Sequence, residues 1–356
     1  MSAYPVFASL RHVCAAFVLL ACLCGPVGAA NVADLNSASV IVADQGDAEQ
    51  ARGLKQALEQ VLVKLSGSRS IVLDPSVKQA VRDPLKYVSQ FSYASDDRGG
   101  QRLNAEFDAD AVSDLLLGNS LPIWQSERPT VLFWLAIESE GQRQLIGTGS
   151  HPGIESMLAD NMQRRGLPYL LPLLDLDDRS LVSVAEVWGG FRDVIQVASV
   201  RYSPEAIVVG RLFPVAGGWR GHWSLINADG SEDAWDSDSA EAEAVVIAGI
   251  DGLADSLGRI YATRIDNSRR AAVTLAVSNV SGVEDYARVL SYLESLQFVD
   301  RVSIHEVRGA NISFDIQYRG QLDDIRLIIE RGRVLQESAS ARFSFNYDTL
   351  SYSLIP

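Results

Sequence analysis

Apolar residues recur every three or four positions at Ala51, Leu54, Leu58, Val61, Leu62 and Leu65, placing them on one face of a helix. Ser66-Gly67 ends that helix, since glycine tolerates the left-handed conformation of a helix stop. The short run Ser39 to Ala43 before it predicts a strand. Val88–Tyr93 and Arg102–Asp108 read as a hairpin turning at Asp97, Gly99 and Gly100, and Asp110–Leu117 as a closing helix. Residues 31–118 thus form a small α+β domain. Residues 119–129 follow as a linker, because Pro122 and Pro129 interrupt regular structure.

Residues 130–266 alternate strands with helices and predict an α/β domain. Val131–Glu138 is apolar throughout, as a central strand should be, and Gln144–Gly147 returns across the turn Glu140-Gly141. Ile154–Arg165 reads as a helix stopped by Gly166, and Tyr169–Leu171 as a short strand. Ser180–Trp188 and Asp193–Val200 read as helices. Ala206–Phe213 is a second central strand, joined to Trp219–Ile226 through Ala216-Gly217-Gly218. Ala240–Ile265 is a long amphipathic helix.

Residues 267–336 run strand (Ala272–Ser278), helix (Val283–Leu296), hairpin (Val302–Val307 with Ile312–Tyr318), helix (Leu322–Glu330) and strand (from Val334). That is the ferredoxin-like order. Residues 337–356 form an extended tail in which Phe343, Phe345 and Tyr347 alternate with Ser344 and Asn346. Two readings fit the alternation: a last strand on its own domain, or a strand added to a partner's sheet. The fold class is therefore α+β / α/β, a series of small mixed units with the last ferredoxin-like.

Residues 1–30 stand apart. Arg11 precedes an apolar run, Val13 to Leu23, too short for the roughly 20 residues of a membrane span. Gly25-Pro26 breaks the run, and Gly28, Ala29 and Ala30 supply the small residues of a signal-peptide cleavage site, after Ala30 or Ala29. The expected location is the periplasm. Leu19-Leu20-Ala21-Cys22 offers a rival reading, a lipoprotein anchored through Cys22, although Leu20 is bulky and the stretch after Cys22 stays apolar. Cys14, Cys22 and Cys24 all lie in this segment, so cleavage at Ala30 leaves no disulfide, thiolate nucleophile or cysteine metal site.

The formal net charge is −14, from 31 basic and 45 acidic side chains, which disfavours nucleic acid and anionic lipid as partners. No second long apolar segment exists, so no membrane span is expected in the mature chain. At 47% hydrophobic and 21% charged the chain reads as globular rather than disordered.

Candidate chemistry is sparse. His151, His222 and His305 are far apart, and no HExxH motif occurs. Gly149, Ser150 and His151 belong to a glycine-rich turn entering a helix, where free N–H groups could hold an anion, but the Gly-Lys-Ser/Thr of a phosphate loop is missing. The alternative is a turn with Ser150 as the helix cap. Asp175, Asp177 and Glu186 echo a calcium loop, but Arg179 and Ser180 occupy a ligand position and the glycine position. Asp229-Gly230 with Glu232, Asp233, Asp236 and Asp238 is a second acidic cluster, read first as a turn. Trp219 and Trp223 share one face of a strand, either as a sugar-stacking platform or as a packed sheet face. No G-x-S-x-G elbow is present. The sequence therefore assigns no catalytic residue, no metal and no cofactor.

Ala51-Arg52-Gly53-Leu54-Lys55-Gln56-Ala57-Leu58 leading to Val61-Leu62-Val63-Lys64-Leu65-Ser66-Gly67 resembles the opening of an uncharacterised bacterial exported family, a domain of unknown function. Val131-Leu132-Phe133-Trp134-Leu135 and Ala206-Ile207-Val208-Val209-Gly210-Arg211-Leu212 fit the same family, over Val32 to Ala262. More distantly, residues 31–118 resemble the amino-terminal domain of a flagellar T-ring assembly protein. Residues 130–266 resemble the amino-terminal domain of TolB and of outer-membrane lipoprotein activators of cell-wall synthases. The resemblance implies interaction domains and an envelope protein partner; no oligomeric state is implied. The expected function is a non-enzymatic periplasmic interaction or assembly factor. The alternatives are a small-ligand or glycan-binding module using the residues above, and a hydrolase with an unrecognised acid pair.

Overall fold

The computed structural model describes residues 34–95, 100–266, 269–338 and 349–355. Residues 1–30, the turn residues Asp97 and Gly99, and the alternating stretch Arg342–Tyr347 lie outside the described residues.

The chain begins with β1 (Ser37–Val42), α1 (Asp47–Ser66), α2 (Pro75–Ala80), β2 (Val88–Ser95), β3 (Gln101–Phe107) and α3 (Ala109–Gly118). The three strands form an antiparallel sheet in the order β1-β3-β2. The apolar stripe of α1 is buried from Leu54 to Leu65, and Gly67 takes the helix stop at φ 71°. The next segment is not a free linker: β4 (Pro122–Ile123) is a short strand.

The second sheet is built from β5 (Val131–Ser139), β6 (Gln142–Ile146), β7 (Tyr169–Leu170), β8 (Ala206–Val215), β9 (Gly218–Asn227) and β10 (Glu232–Ser239). Its order is β10-β9-β8-β5-β6, with β7 also against β5. Strands β5 and β8 are parallel neighbours in the interior of the sheet, the central position their apolar runs anticipated. Along β5, Val131, Phe133 and Leu135 face one hydrophobic cluster while Leu132, Trp134 and Ala136 face another. Helices α4 (Pro152–Arg165) and α8 (Ala242–Tyr261) cover the first face. On the second face lie α6 (Val184–Gly189) and α7 (Arg192–Ser199), preceded by α5 (Leu176–Leu181). The single helix expected over Ser180–Trp188 is instead two, because Ser183 and Glu186 build a capping box that starts α6 anew. The acidic stretch after Asp229 is the edge strand β10, whose residues alternate outward.

After β11 (Thr263–Arg264), which pairs with β4, come β12 (Arg270–Ser278), α9 (Val283–Ser295), β13 (Val299–Arg308), β14 (Asn311–Arg319), α10 (Leu322–Arg331), β15 (Leu335–Glu337) and β16 (Thr349–Leu354). The element order through β15 is the expected one, but the sheet is β13-β14-β12-β16-β15. In a ferredoxin-like sheet β15 would flank β12. Here β16 occupies that lane, parallel to β12, and β15 pairs antiparallel outside it. Leu350, Tyr352 and Leu354 of β16 are buried, so this part of the tail completes its own sheet. Buried side chains of the first and third sheets merge into one cluster through Leu121, Ile123 and Ile265. No helix among the described residues is long and apolar enough to cross a membrane.

Candidate binding cleft at the junction of the sheets

The last carbonyls of a helix lack partners within it. In α1 two of them are taken by the segment between the prolines: Leu65 O accepts from Trp124 N at 2.7 Å, and Lys64 O from Arg128 Nη2 at 2.9 Å. Gly67 and Gly258 of α8 meet backbone to backbone, leaving no room for a Cβ on either. Trp124 packs on this contact and stacks on Tyr261 at the end of α8, with ring centroids 6.0 Å apart and planes 7° apart. The Arg128 guanidinium lies 4.0 Å from the Trp124 ring centroid. A cation over an indole is attracted by the ring's quadrupole.

Facing this stack are Tyr292 and Leu296 on and after α9, Ile328 on α10, and Gly332-Arg333 just beyond it. Together with the turn Asn227–Ser231 they enclose a cleft of about 610 Å³. The Tyr292 hydroxyl occupies the space that a side chain on Gly332 would need. Glu127 accepts the Arg333 N–H at 3.1 Å, and the Arg333 guanidinium pairs with Glu205.

Arg128 is only 2% exposed, and no carboxylate lies within ion-pair distance of it among the described residues. Its guanidinium instead donates to Gln125 O, Lys64 O and Trp124 O, at the negative end of the α1 dipole. Burial, aided by the nearby Arg165 charge, lowers its pKa to about 9, which still leaves it cationic at neutral pH. Burial raises the Glu127 carboxyl above its ordinary range, opposed by the Arg333 N–H and the charges of Arg333 and Arg288. Burial, with the Glu127 charge beside it, pushes the Tyr292 phenol well up. Among the residues lining the cleft, five buried side-chain atoms have no protein partner: Trp124 Nε1, Gln125 Nε2, Arg128 Nη1, the Tyr292 hydroxyl and Asn227 Oδ1.

The residues singled out by sequence lie elsewhere. Gly149, Ser150 and His151 do precede α4, but the anion position at that turn is filled from within. Glu155 accepts from Gly149 N and His151 N, each at 3.0 Å. His151, not Ser150, is the cap position; Ser150 instead closes the turn by accepting from Gly147 N. Trp223 is fully buried against α8, its indole N–H donating to Ser237 at 2.8 Å, and Trp219 packs half-buried on the same cluster. Trp223 therefore offers no open face to a sugar. Asp175 caps α5, and buried Asp178 is held by Leu174 N, Arg201 and the Tyr202 hydroxyl. On β10, Asp233, Asp236 and Asp238 pair with Arg259, His222 and Arg220. No group of three or more metal-ligating side chains converges among the described residues.

A second polar cluster locks the first sheet's helix to the second sheet. Arg165, 1% exposed, bridges Asp251 (2.9 Å) and Asp255 (2.8 Å) of α8, and Arg69 reaches Asp255 at 2.7 Å. Every carboxylate in it faces a guanidinium, so it reads as a clamp rather than a reactive centre.

The comparisons with known proteins bear on the first of these walls. Residues 29–125 match a domain of unknown function (DUF8605). The matched span carries β1 to β4 and ends just past Trp124, short of the Val32–Ala262 expected. No curated protein and no solved structure matches, so the likenesses to T-ring and TolB domains have no counterpart there. Sequence reasoning missed Trp124, Glu127, Arg128, Tyr292 and Gly332. The available signal was a tryptophan and an arginine inside Leu121–Pro129, side chains a solvated linker has no use for.

Proposed function

We propose that the chain is exported and acts in the bacterial envelope as a non-catalytic binding or assembly protein, with the cleft between the sheets as its working surface. Export rests on residues 1–30, with the soluble form favoured over a Cys22 lipid anchor. The observation that carries the binding reading is the cleft itself: the segment after β4, a turn of the second sheet with the end of α8, and the helices of the third sheet meet around it, and its residues hold buried donors that the chain leaves unused. Concave sites with a few convergent polar groups on apolar walls are where ligands are held. The sequence likeness to envelope interaction domains agrees with an assembly role. The small-ligand alternative moves here from the Gly149–His151 turn and the Trp219/Trp223 face.

A photo-crosslinking residue placed at Ile260, on the cleft rim, tests this in cells. A matched probe at Ile304, exposed on the edge strand β13, serves as the control. Adducts in the envelope fraction from position 260 and not from 304 are expected. Adducts only from 304, or a chain retained in the cytoplasm, would overturn the reading.

A further inference from the structure

Four of the five unpartnered atoms share one property. Trp124 Nε1, Gln125 Nε2 and Arg128 Nη1 can only donate a hydrogen bond, and the Tyr292 hydroxyl can donate. The Gln125 amide is oriented by its own oxygen, which accepts from Gln297 N at 3.2 Å. The fifth atom, Asn227 Oδ1, is a neutral acceptor, so what these donors lack is an anionic partner. Leaving a buried donor unmade costs its desolvation, more so when the donor is charged. Arg128 is the charged one, and it has no anion of its own.

The cleft's acids do not supply that anion. Glu127 accepts from Arg333 N, and Asp229 accepts from the Ser231 N–H and hydroxyl. Glu330 also lines the cleft but has no ion pair with Arg128. Counted formally, Arg128, Arg331 and Arg333 balance Glu127, Asp229 and Glu330. A site of that balance, with Glu127 beside it, suits one negative charge better than a dianion. The remaining walls, Trp124, Ile260, Tyr261, Leu296 and Ile328, are apolar or aromatic.

From this, and resting on the cleft being the working surface, we propose that it binds a monoanionic carboxylate carried on an apolar or aromatic body. The carboxylate lies between Arg128 Nη1 and the Tyr292 hydroxyl. The body lies along Trp124, Tyr261 and Leu296. A volume of about 610 Å³ suits an amino-acid-sized acid or the last residues of a peptide. Bidentate or charge-assisted bonds to a guanidinium are the strong class of polar contact, which is why the charged end rather than the body sets the selectivity.

The test is calorimetric titration of the full chain, as processed in the cell, with paired probes. These are N-acetylphenylalanine and its amide, Ala-Ala-Phe with a free and an amidated carboxyl end, and inorganic phosphate. The acids are expected to bind, and each amide at least about tenfold more weakly, the loss that follows from removing a charge-assisted bond. A tighter tripeptide acid assigns the carboxylate to a chain end; a tighter N-acetyl amino acid assigns it to a free small acid. Tyr292→Phe should weaken acid binding about three- to tenfold without lowering the melting temperature, because the hydroxyl has no partner to lose. Glu127→Gln should tighten it by removing the neighbouring negative charge.

Equal binding of acid and amide would overturn the carboxylate and leave the cleft as a binding surface. So would phosphate binding as tightly as the acids. Acids failing to bind up to about 10 mM would overturn it as well, a range that covers very weak complexes. An unchanged affinity in Tyr292→Phe would remove that residue from the site and the proposal with it. None of these outcomes alters the crosslinking result, so the two readings fail separately.

Discussion

Glu127 and Arg128 are adjacent, opposite in charge and unpaired with each other. Arg128 turns back to the carbonyls that end α1, while Glu127 faces the Arg333 N–H across the cleft. That division has a consequence for stability. Burial raises the Glu127 pKa in the fold, so the neutral carboxyl is the better-suited form there. A raised folded-state pKa contributes stability at acid pH that is lost as pH rises through it. Glu127→Gln keeps an acceptor for Arg333 N and removes the ionisation. The variant should melt a few degrees higher than the parent at neutral pH. The gap should close as pH falls to the ordinary glutamate range of about 4. Thermal melts at pH 4, 5.5 and 7 read this directly, and a variant less stable at neutral pH would contradict it. At this scale the sequence misled in both directions. Proline punctuation made Leu121–Pro129 look like linker, although a helix end was waiting for its donors. Glycine and aromatic content made Gly149–His151 and Trp219/Trp223 look like sites, although Glu155 and α8 had already claimed them. Which partner a polar group meets is a matter of distance in the fold, which spacing along the chain does not carry.

Helix α8 shows what periodicity can and cannot convey. Its apolar face was legible in spite of three glycines at positions 249, 252 and 258, but the helix ends at Tyr261, short of the expected Ile265, because Thr263–Arg264 pair with β4 as a strand. Each glycine is a place of close approach: Gly249 to Trp223, Gly252 to Trp235, Gly258 to Gly67. Alanine is the better helix former by about 1 kcal/mol. At Gly249, however, a methyl would run into the Trp223 indole, which Gly210 and Gly221 also press on. Overpacking of a rigid core costs about 1–3 kcal/mol and wins over propensity. Gly249→Ala is therefore expected to lower the denaturation free energy. Trp223→Phe, which shortens the offending ring, should relieve part of that loss when combined with it. Urea titrations of the two single variants and the double variant give the coupling, which should be favourable because the residues touch. A strictly additive double variant would show that Gly249 is not held by Trp223. Periodicity missed the break between α5 and α6, which a capping box makes, and the edge strand β10, where cross-strand and strand–helix ion pairs stand in place of an apolar face.

The whole molecule is closed by its last strand. Element order along residues 267–336 predicted the ferredoxin-like series, but the lane a strand takes in a sheet depends on its competitors, not on its own alternation. Strand β16 wins the place beside β12 from β15, because it brings three buried apolar side chains, Leu350, Tyr352 and Leu354, against one, Leu335. At about 1.5–3 kcal/mol for each fully buried side chain, removing it forfeits an amount comparable to a whole domain's stability of about 5–15 kcal/mol. A chain ending at Asp348 should therefore lose the third sheet. The effect should reach the cleft, whose far wall of Tyr292, Leu296, Ile328 and Gly332 stands on that sheet and its helices. Hydrogen exchange read by mass spectrometry checks this. Protection should vanish from β12, β14, α9 and α10. It should persist in β5 and β8, which sit in separate hydrophobic clusters and whose covering helices α4 and α8 are held together by the Arg165 clamp. Loss of protection throughout would mean that the merged cluster of the first and third sheets carries the rest of the molecule with it. In that case the cleft lies within one cooperative unit, rather than at a seam that a ligand could tighten.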